Sequence, residues 1–232
     1  MRIYSKLSEA VKETERELIE MGTRVIVQSM QDKEGIFDTI ELQGYGYIIT
    51  NHAGIEEDFI KLGGNVEYLR QELQERVSPL WYNPGQAWSI REDTWSQFLE
   101  PSGKFAYTYN ERFREQLMPL LKELNDKPST RQAILSMYDR HQDMNNWGGK
   151  RRIPCSMYYQ FLRRIRNGIE VLDIIYTMRS CDIYNHYLYD VVLAMKLQEY
   201  VANALGIEPG HFTHFIGSLH AYKKDADKKG VF

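Results

Sequence analysis

The chain has 232 residues, 43% hydrophobic and 26% charged, with 29 basic against 32 acidic side chains and a net charge of -3. That size suits one large globular domain, taken here as a single unit over 1–232. The near-balanced charge excludes an overall basic nucleic-acid footprint, and no apolar run nears the ~18 residues that would span a bilayer.

In chain order, "LSEAVKETERELIEMG" sets Leu7, Ala10, Val11, Leu18 and Met21 on one helical stripe, with Gly22 to close it. "TRVIVQS" and "DTIELQGYGYIIT" read as strands, with Gly44 and Gly46 as bulge positions. "NVEYLRQELQERV" is a second helix, and "WYNPGQAWS" a turn-rich loop broken at Pro84-Gly85. "NERFREQLMPLLKELN" is a third helix, interrupted or bent near Pro119. "TRQAILSMY" is a strand and "DRHQDMNNWGGKRRIP" a long polar loop. "CSMYYQFLRRIRNGIEVLDIIYTMRS" predicts two long strands about an Asn167-Gly168 hairpin turn. "DVVLAMKLQEYVANALG" is the strongest helix, with Leu193, Leu197, Tyr200, Val201 and Ala204 on one face and Gly206 as its stop. "HFTHFIGSLHAYK" is a last strand. Helices and strands do not alternate strictly, so the expected class is α+β: a large, mainly antiparallel or mixed sheet with helices on one side.

Two cysteines, Cys155 and Cys181, form no CxxC or zinc pattern. Together with an N-terminus lacking a signal-peptide core, they predict a reducing, cytoplasmic setting. Alone, Cys155 reads as a small buried apolar residue. Arg151, Arg152 and Pro154 beside it, at a loop-to-strand edge, favour a thiolate. His211 and His214 lie three apart in a predicted strand and point to opposite faces, so no metal is expected. "GGK" at 148–150 lacks the rest of a phosphate loop, and Lys223, Lys224, Lys228 and Lys229 read as a solvated tail. By default Asp190 is a helix-start carboxylate and Arg179 an ion-pair residue at a strand end.

"IPCSMYYQF", "MRSCDIYNHYLYD" and "GSLHAY", in that order, resemble the thymidylate synthase family. The resemblance runs from about Lys33 to Tyr222. It implies that fold and a sheet-to-sheet homodimer. It also implies 5,10-methylenetetrahydrofolate as co-substrate and no metal. Cys155 becomes the nucleophile that adds to pyrimidine C6. "QELQERV" resembles the family's catalytic helix, which makes Glu72 a manager of protons. Arg179, Ser180 and a partner's Arg131 are implied for the 5′-phosphate, with Lys33 standing in for an N-terminal arginine. His220 and Tyr222 are implied for the sugar 3′-hydroxyl. Asp182 and Trp95 are implied for the folate, and Tyr109 for the nucleotide. Departures are Asn110 for a glycine, Gln132 for a second phosphate arginine, Ser156 for a histidine, and Asn185-His186 for Leu-Gly.

Synthases carry asparagine where this chain has Asp190. An amide both accepts from uracil N3–H and donates to O4; an ionised carboxylate only accepts. Facing O4 it would bury two acceptors together, at ~1–3 kcal/mol. Cytosine offers a 4-amino donor instead. Asp190 therefore resembles the phage-type deoxycytidylate hydroxymethylases, which end the reaction with water. A chain that stops at Phe232, soon after Tyr222, suits water access. A dCMP methylase, a dUMP-using relative and a nucleotide- or RNA-binding relative without turnover are the alternatives.

Overall fold

The computed structural model describes residues 1–28, 36–147 and 151–230. Lys33 and the turn at 148–150 lie outside the described residues. In chain order the elements are β1 (Arg2–Tyr4), α1 (Leu7–Met21), β2 (Thr23–Gln28), β3 (Ile36–Ile49), α2 (Ile55–Lys61), α3 (Val66–Val77), α4 (Ala87–Ile90), α5 (Glu92–Trp95), α6 (Tyr109–Phe113), α7 (Leu117–Asp126), β4 (Ile134–Ser136), α8 (Arg140–Asp143), β5 (Ser156–Arg166), β6 (Ile169–Asp182), α9 (Tyr187–Leu205), β7 (Glu208–Tyr222) and α10 (Lys223–Lys228). No helix among the described residues is long and apolar enough to cross a membrane.

The strands form one mixed sheet in the order β1-β3-β7-β6-β5-β4, with β2 also on β3. β1 on β3 and β6 on β7 are parallel; the other pairs are antiparallel. Helices α1, α7 and α9 pack on the sheet, so the expected α+β layering is present. The β5–β6 hairpin turns at Asn167 (φ 53°) and Gly168 (φ 80°), the left-handed pair that a two-residue turn requires.

Other expectations need correction. α9 buries five consecutive residues, Val191 to Met195, so it is enclosed on most sides. Sheet lies on one flank and α3 and α7 on others, while Tyr200 and Ala204, assigned to its inner face, look outward. Its buried Gln198 donates to the carbonyls of Leu172 (2.7 Å) and His211 (3.2 Å) and so ties the helix to β6 and β7. The interruption expected near Pro119 is present at 114–116, and Pro119 itself sits in the first turn of α7, where no N–H is needed. The lysine tail is the helix α10, braced by a Lys223–Asp227 ion pair. Gly22 closes α1 in an extended conformation (φ -66°); a Cβ there would sit 2.2 Å from Ile40.

Three strands change phase at one level. In β6 the buried residues Leu172, Ile174, Tyr176 and Met178 give way to Cys181 and Ile183 beyond the strand. In β7 Phe212, His214 and Ile216 give way to Leu219 and Ala221; in β3 Tyr45, Tyr47 and Ile49 give way to Ile40. Gly44 (φ 66°) and Gly217 drop out of the pairing here, yet register resumes unchanged on both sides. Gly217 is required by contact: a Cβ would lie 2.8 Å from the Arg179 carbonyl oxygen. Gly217→Ala should therefore destabilise the fold by about 1–3 kcal/mol. Chemical denaturation measures this, and a midpoint equal to wild type would refute the crowding.

Candidate active site

Beyond that phase change the opposite parity of the same strands turns polar and lines a cleft of about 910 Å³. Its floor is a lattice. Glu41, His220 and Asp182 stand abreast on β3, β7 and β6, and Ser218 pairs with Ser180 one step along. Ser218 donates to the Glu41 carboxylate, which also accepts from Gln43 (2.9 Å), and these bonds hold Glu41 below the usual carboxylate range. Asp182 is buried and already accepts from Tyr184 N (3.1 Å), Asn185 N (3.3 Å) and Asn185 Nδ2 (2.8 Å).

Cys155 stands at the edge of β5, half-buried, and its carbonyl accepts from Arg179 N at 2.8 Å. The Arg179 guanidinium lies 3.8 Å from Cys155 Sγ and donates to the carbonyls of Pro154 (2.9 Å) and Ile153 (3.1 Å). Of the two arginines expected to activate the thiol, Arg151 is engaged elsewhere, while Arg152 still pulls the thiol down from a greater remove. Arg151 forms a two-pronged pair with Glu100, and Arg152 lies 4.0 Å over the Phe98 ring. Burial pushes the Cys155 thiol up; Arg179 pulls it down and Asp190 pushes it up again. The sequence-based argument for a ready thiolate is thus corrected: Arg179 is the closer cation, Arg152 adds to it, and desolvation outweighs both.

α9 carries Asp190 in its first turn, half-buried against the cleft. No hydrogen bond from a described residue reaches its carboxylate. Burial lifts it to about 7, opposed by Arg76 and Arg91 and reinforced by Glu72 and Asp182. Arg91 donates to the Asn185 carbonyl (3.1 Å) and stacks 3.9 Å over the Tyr189 ring. His186 faces Trp95 at 5.6 Å, and burial followed by the Arg91 and Arg152 charges drives it down to about 3.

The structure gathers Cys155, Arg179, Ser180, Asp182, Asp190, His220, Tyr222, Tyr109 and Trp95 around one cleft. It does not bring Glu72 or Arg131 there. Glu72 accepts from Arg76 Nε at 2.7 Å and lines a small adjoining pocket; Arg76 stands between it and the cleft. Arg131 is exposed and away from the cleft of its own chain. Sequence reasoning missed Arg76, Arg91 and Glu41. Only Arg76 carried a signal, its (i, i+4) spacing from Glu72. Asn110 also gains a reason. Its buried amide donates to the carbonyls of Glu75, Ser78 and Leu80 and clasps the loop after α3. Among the described residues no cluster of three His, Cys, Asp or Glu could hold a metal ion.

The family model for thymidylate synthase matches residues 65–230. The chain belongs to the thymidylate synthase family. A Methanopyrus kandleri protein, whose thymidylate synthase name is itself provisional, is 29% identical over 135 residues, 56% of this chain and 61% of that protein. A deoxyuridylate hydroxymethyltransferase of Pseudomonas phage M6 is 28% identical over 128 residues, 54% of this chain and 35% of its own. The chain thus spans less than two thirds of the length of these relatives. The thermostable thymidylate synthase A of Bacillus subtilis superposes over 97% of this chain and 82% of its own, with a TM-score of 0.72 at 16% identity; this likeness speaks for the fold.

Asp190 also generates a stability prediction. Its carboxyl ionises near 3.9 when unfolded and about 7 when folded, so the fold loses stability as pH rises between those values. Asp190→Asn removes that burden. The variant should gain melting temperature over wild type at pH 8 and show little gain at pH 4. Equal differences at both pH values would contradict an elevated Asp190.

Proposed function

We propose that this chain transfers a one-carbon unit from 5,10-methylenetetrahydrofolate to C5 of a pyrimidine deoxynucleotide, and that its product is 5-hydroxymethyl-dCMP. The observation that carries the reading is Cys155 beside Arg179 in the cleft that also holds Asp190. The Cys155 thiolate adds to C6 and makes C5 nucleophilic. C5 then takes the carbon that the folate supplies and loses its proton, tetrahydrofolate leaves as its bond to that carbon breaks, and water adds to the exocyclic methylene with loss of a proton while the C6–S bond breaks and returns the Cys155 thiolate. Asp190 accepts from the cytosine 4-amino group and shares a proton with N3, a charge-assisted pair. Arg179 and Ser180 take the phosphate, His220 and Tyr222 the sugar 3′-hydroxyl, Asp182 and Trp95 the folate. Glu72 manages protons through ordered water from its side pocket, where Arg76 holds its carboxylate.

Arg131 fits a role in trans. It is exposed outside its own cleft, and the sheet face away from the helices carries half-buried Ile48, Ile175 and Thr213 and exposed Phe215. A second copy on that face would form the dimer in which Arg131 reaches the partner's phosphate.

A second reading, dUMP as substrate, has its own support. At about 7 much of Asp190 is the neutral acid, which offers one donor and one acceptor as an amide does. A relative is named a deoxyuridylate hydroxymethyltransferase. Incubation with methylenetetrahydrofolate and either nucleotide, followed by mass spectrometry, decides between them. A dCMP product heavier by one CH2O unit is expected. A CH2 gain would remove the water step, and turnover of dUMP alone would remove the cytosine reading. Asp190→Asn should move the dCMP/dUMP ratio of kcat/KM toward dUMP by about tenfold or more; an unchanged ratio would show that Asp190 does not read the base.

A further inference from the structure

Behind the wall of the cleft three hydroxyls stand in line. Tyr109 OH and Ser156 Oγ are 2.8 Å apart, and Ser156 Oγ and Tyr176 OH 2.5 Å. Ser156 and Tyr176 are fully buried, whereas Tyr109 lines the cleft. Distance alone allows either atom of each pair to donate, but the ends of the line settle the direction. Three protons are present and only two bonds lie inside the line, so one proton must point out of it.

That proton cannot belong to Tyr176, whose one hydrogen bond in the line is to Ser156. The nearest ring, Tyr159, stacks on it at 4.4 Å and 2°, and the buried Tyr159 hydroxyl, which has no full hydrogen bond of its own, turns its proton toward Tyr176 or Ser156 and so adds a donor at this end. Nor can it belong to Ser156, whose Oγ meets only tyrosine hydroxyls. Either choice leaves a buried O–H without an acceptor, at ~1–3 kcal/mol. Tyr176 therefore donates to Ser156, and Ser156 donates to Tyr109. The Tyr109 proton is then free for the cleft.

We propose that Ser156 is a positioning residue that fixes Tyr109 as a hydrogen-bond donor toward the cleft, where it meets an acceptor atom of the bound pyrimidine. This rests on the reading of the cleft as a nucleotide site. Burial also drives the Tyr109 phenol well above its ordinary range, which suits a neutral donor and not a base.

The test is calorimetric binding of dCMP and dUMP, with tritium release from C5 measured in parallel. Ser156→Ala should weaken the better nucleotide about tenfold, the order expected for losing one aimed donor. Tyr109→Phe should cause a similar loss, and the two losses should not add. Ser156→Ala also strands the Tyr176 hydroxyl, so the variant should melt lower. Ser156→Ala/Tyr176→Phe should recover the melting temperature without recovering affinity. Affinity that returns together with stability would mean a merely structural serine and overturn the proposal, as would additive losses or wild-type affinity in Ser156→Ala. Binding without tritium release would sink the transferase reading alone, because the donor is judged on affinity. Absence of binding by either nucleotide would overturn both.

Discussion

The cleft depends on one geometric constraint: three adjacent strands must change side at the same level. β3, β7 and β6 spend one parity on the core beneath the helices and then exchange it. Gly44 and Gly217 leave the pairing without a shift in register, and the Arg179 backbone presses where a Gly217 Cβ would stand. Without the exchange, Asp182 and His220 would continue the core parity of Leu172–Met178 and Phe212–Ile216 beneath the helices, and no concave polar floor would form. With it, Ser180, Asp182, Ser218, His220 and Glu41 share one surface while Cys181, Leu219 and Ala221 keep the interior closed. Arg179 sits at the hinge of this change and therefore meets Cys155 across the edge of β5.

The helices complete that floor with charge and flat rings. α3 delivers Arg76 over the Tyr109 ring at 3.9 Å, and α9 delivers Tyr189 to the Arg91 guanidinium at the same distance. Each cation is fixed twice, against an aromatic face and by an acceptor, Glu72 for Arg76 and the Asn185 carbonyl for Arg91. Their charge reaches Asp190, yet burial still dominates there. The side pocket behind Arg76 follows the same logic. Glu75 accepts from Gln86 N (2.7 Å) and Ala87 N (2.9 Å), and Gly85 has no room for a Cβ, which would lie 2.1 Å from Glu75 Oε2. The loop is thus pinned to α3, and Glu72 is confined with it.

Much of the fold was legible because its signals were local. Asn167-Gly168 announced the β5–β6 hairpin, and Asn65 ahead of α3 caps that helix through Tyr68 N at 3.0 Å. α9 was legible as a helix but not as a buried one, since its surroundings come from distant strands and helices. Short α2 was missed for want of length, and β4 is a fragment of the strand expected there. Within the site, the order of motifs located Cys155, Arg179, Asp182 and His220, since each sits in a compact signature. Arg76, Arg91 and Glu41 lie outside those signatures and reach the cleft only through packing. The effect of burial on Cys155 was also invisible, because it comes from packing of distant segments; of the cations beside it in sequence the fold turns Arg151 to Glu100 and leaves Arg152 acting on the thiol.

Cys155 and Asp190 oppose one another across the cleft in a way that bears on chemistry. Each charge raises the cost of the other, since an ionised Asp190 pushes the thiol up. One proton shared between them has two placements of equal net charge: thiol with carboxylate, or thiolate with acid. The proposed reaction needs the second placement, because attack at C6 requires the thiolate while N3 must gain a proton. Arg179 favours it by stabilising negative sulfur and burial of Asp190 favours it by resisting negative oxygen, while burial of the thiol opposes it. An asparagine at 190 could neither hold nor release that proton. On the proposed cytosine reading the aspartate would serve twice, in matching the donors of the base and in carrying the proton that thiolate addition demands.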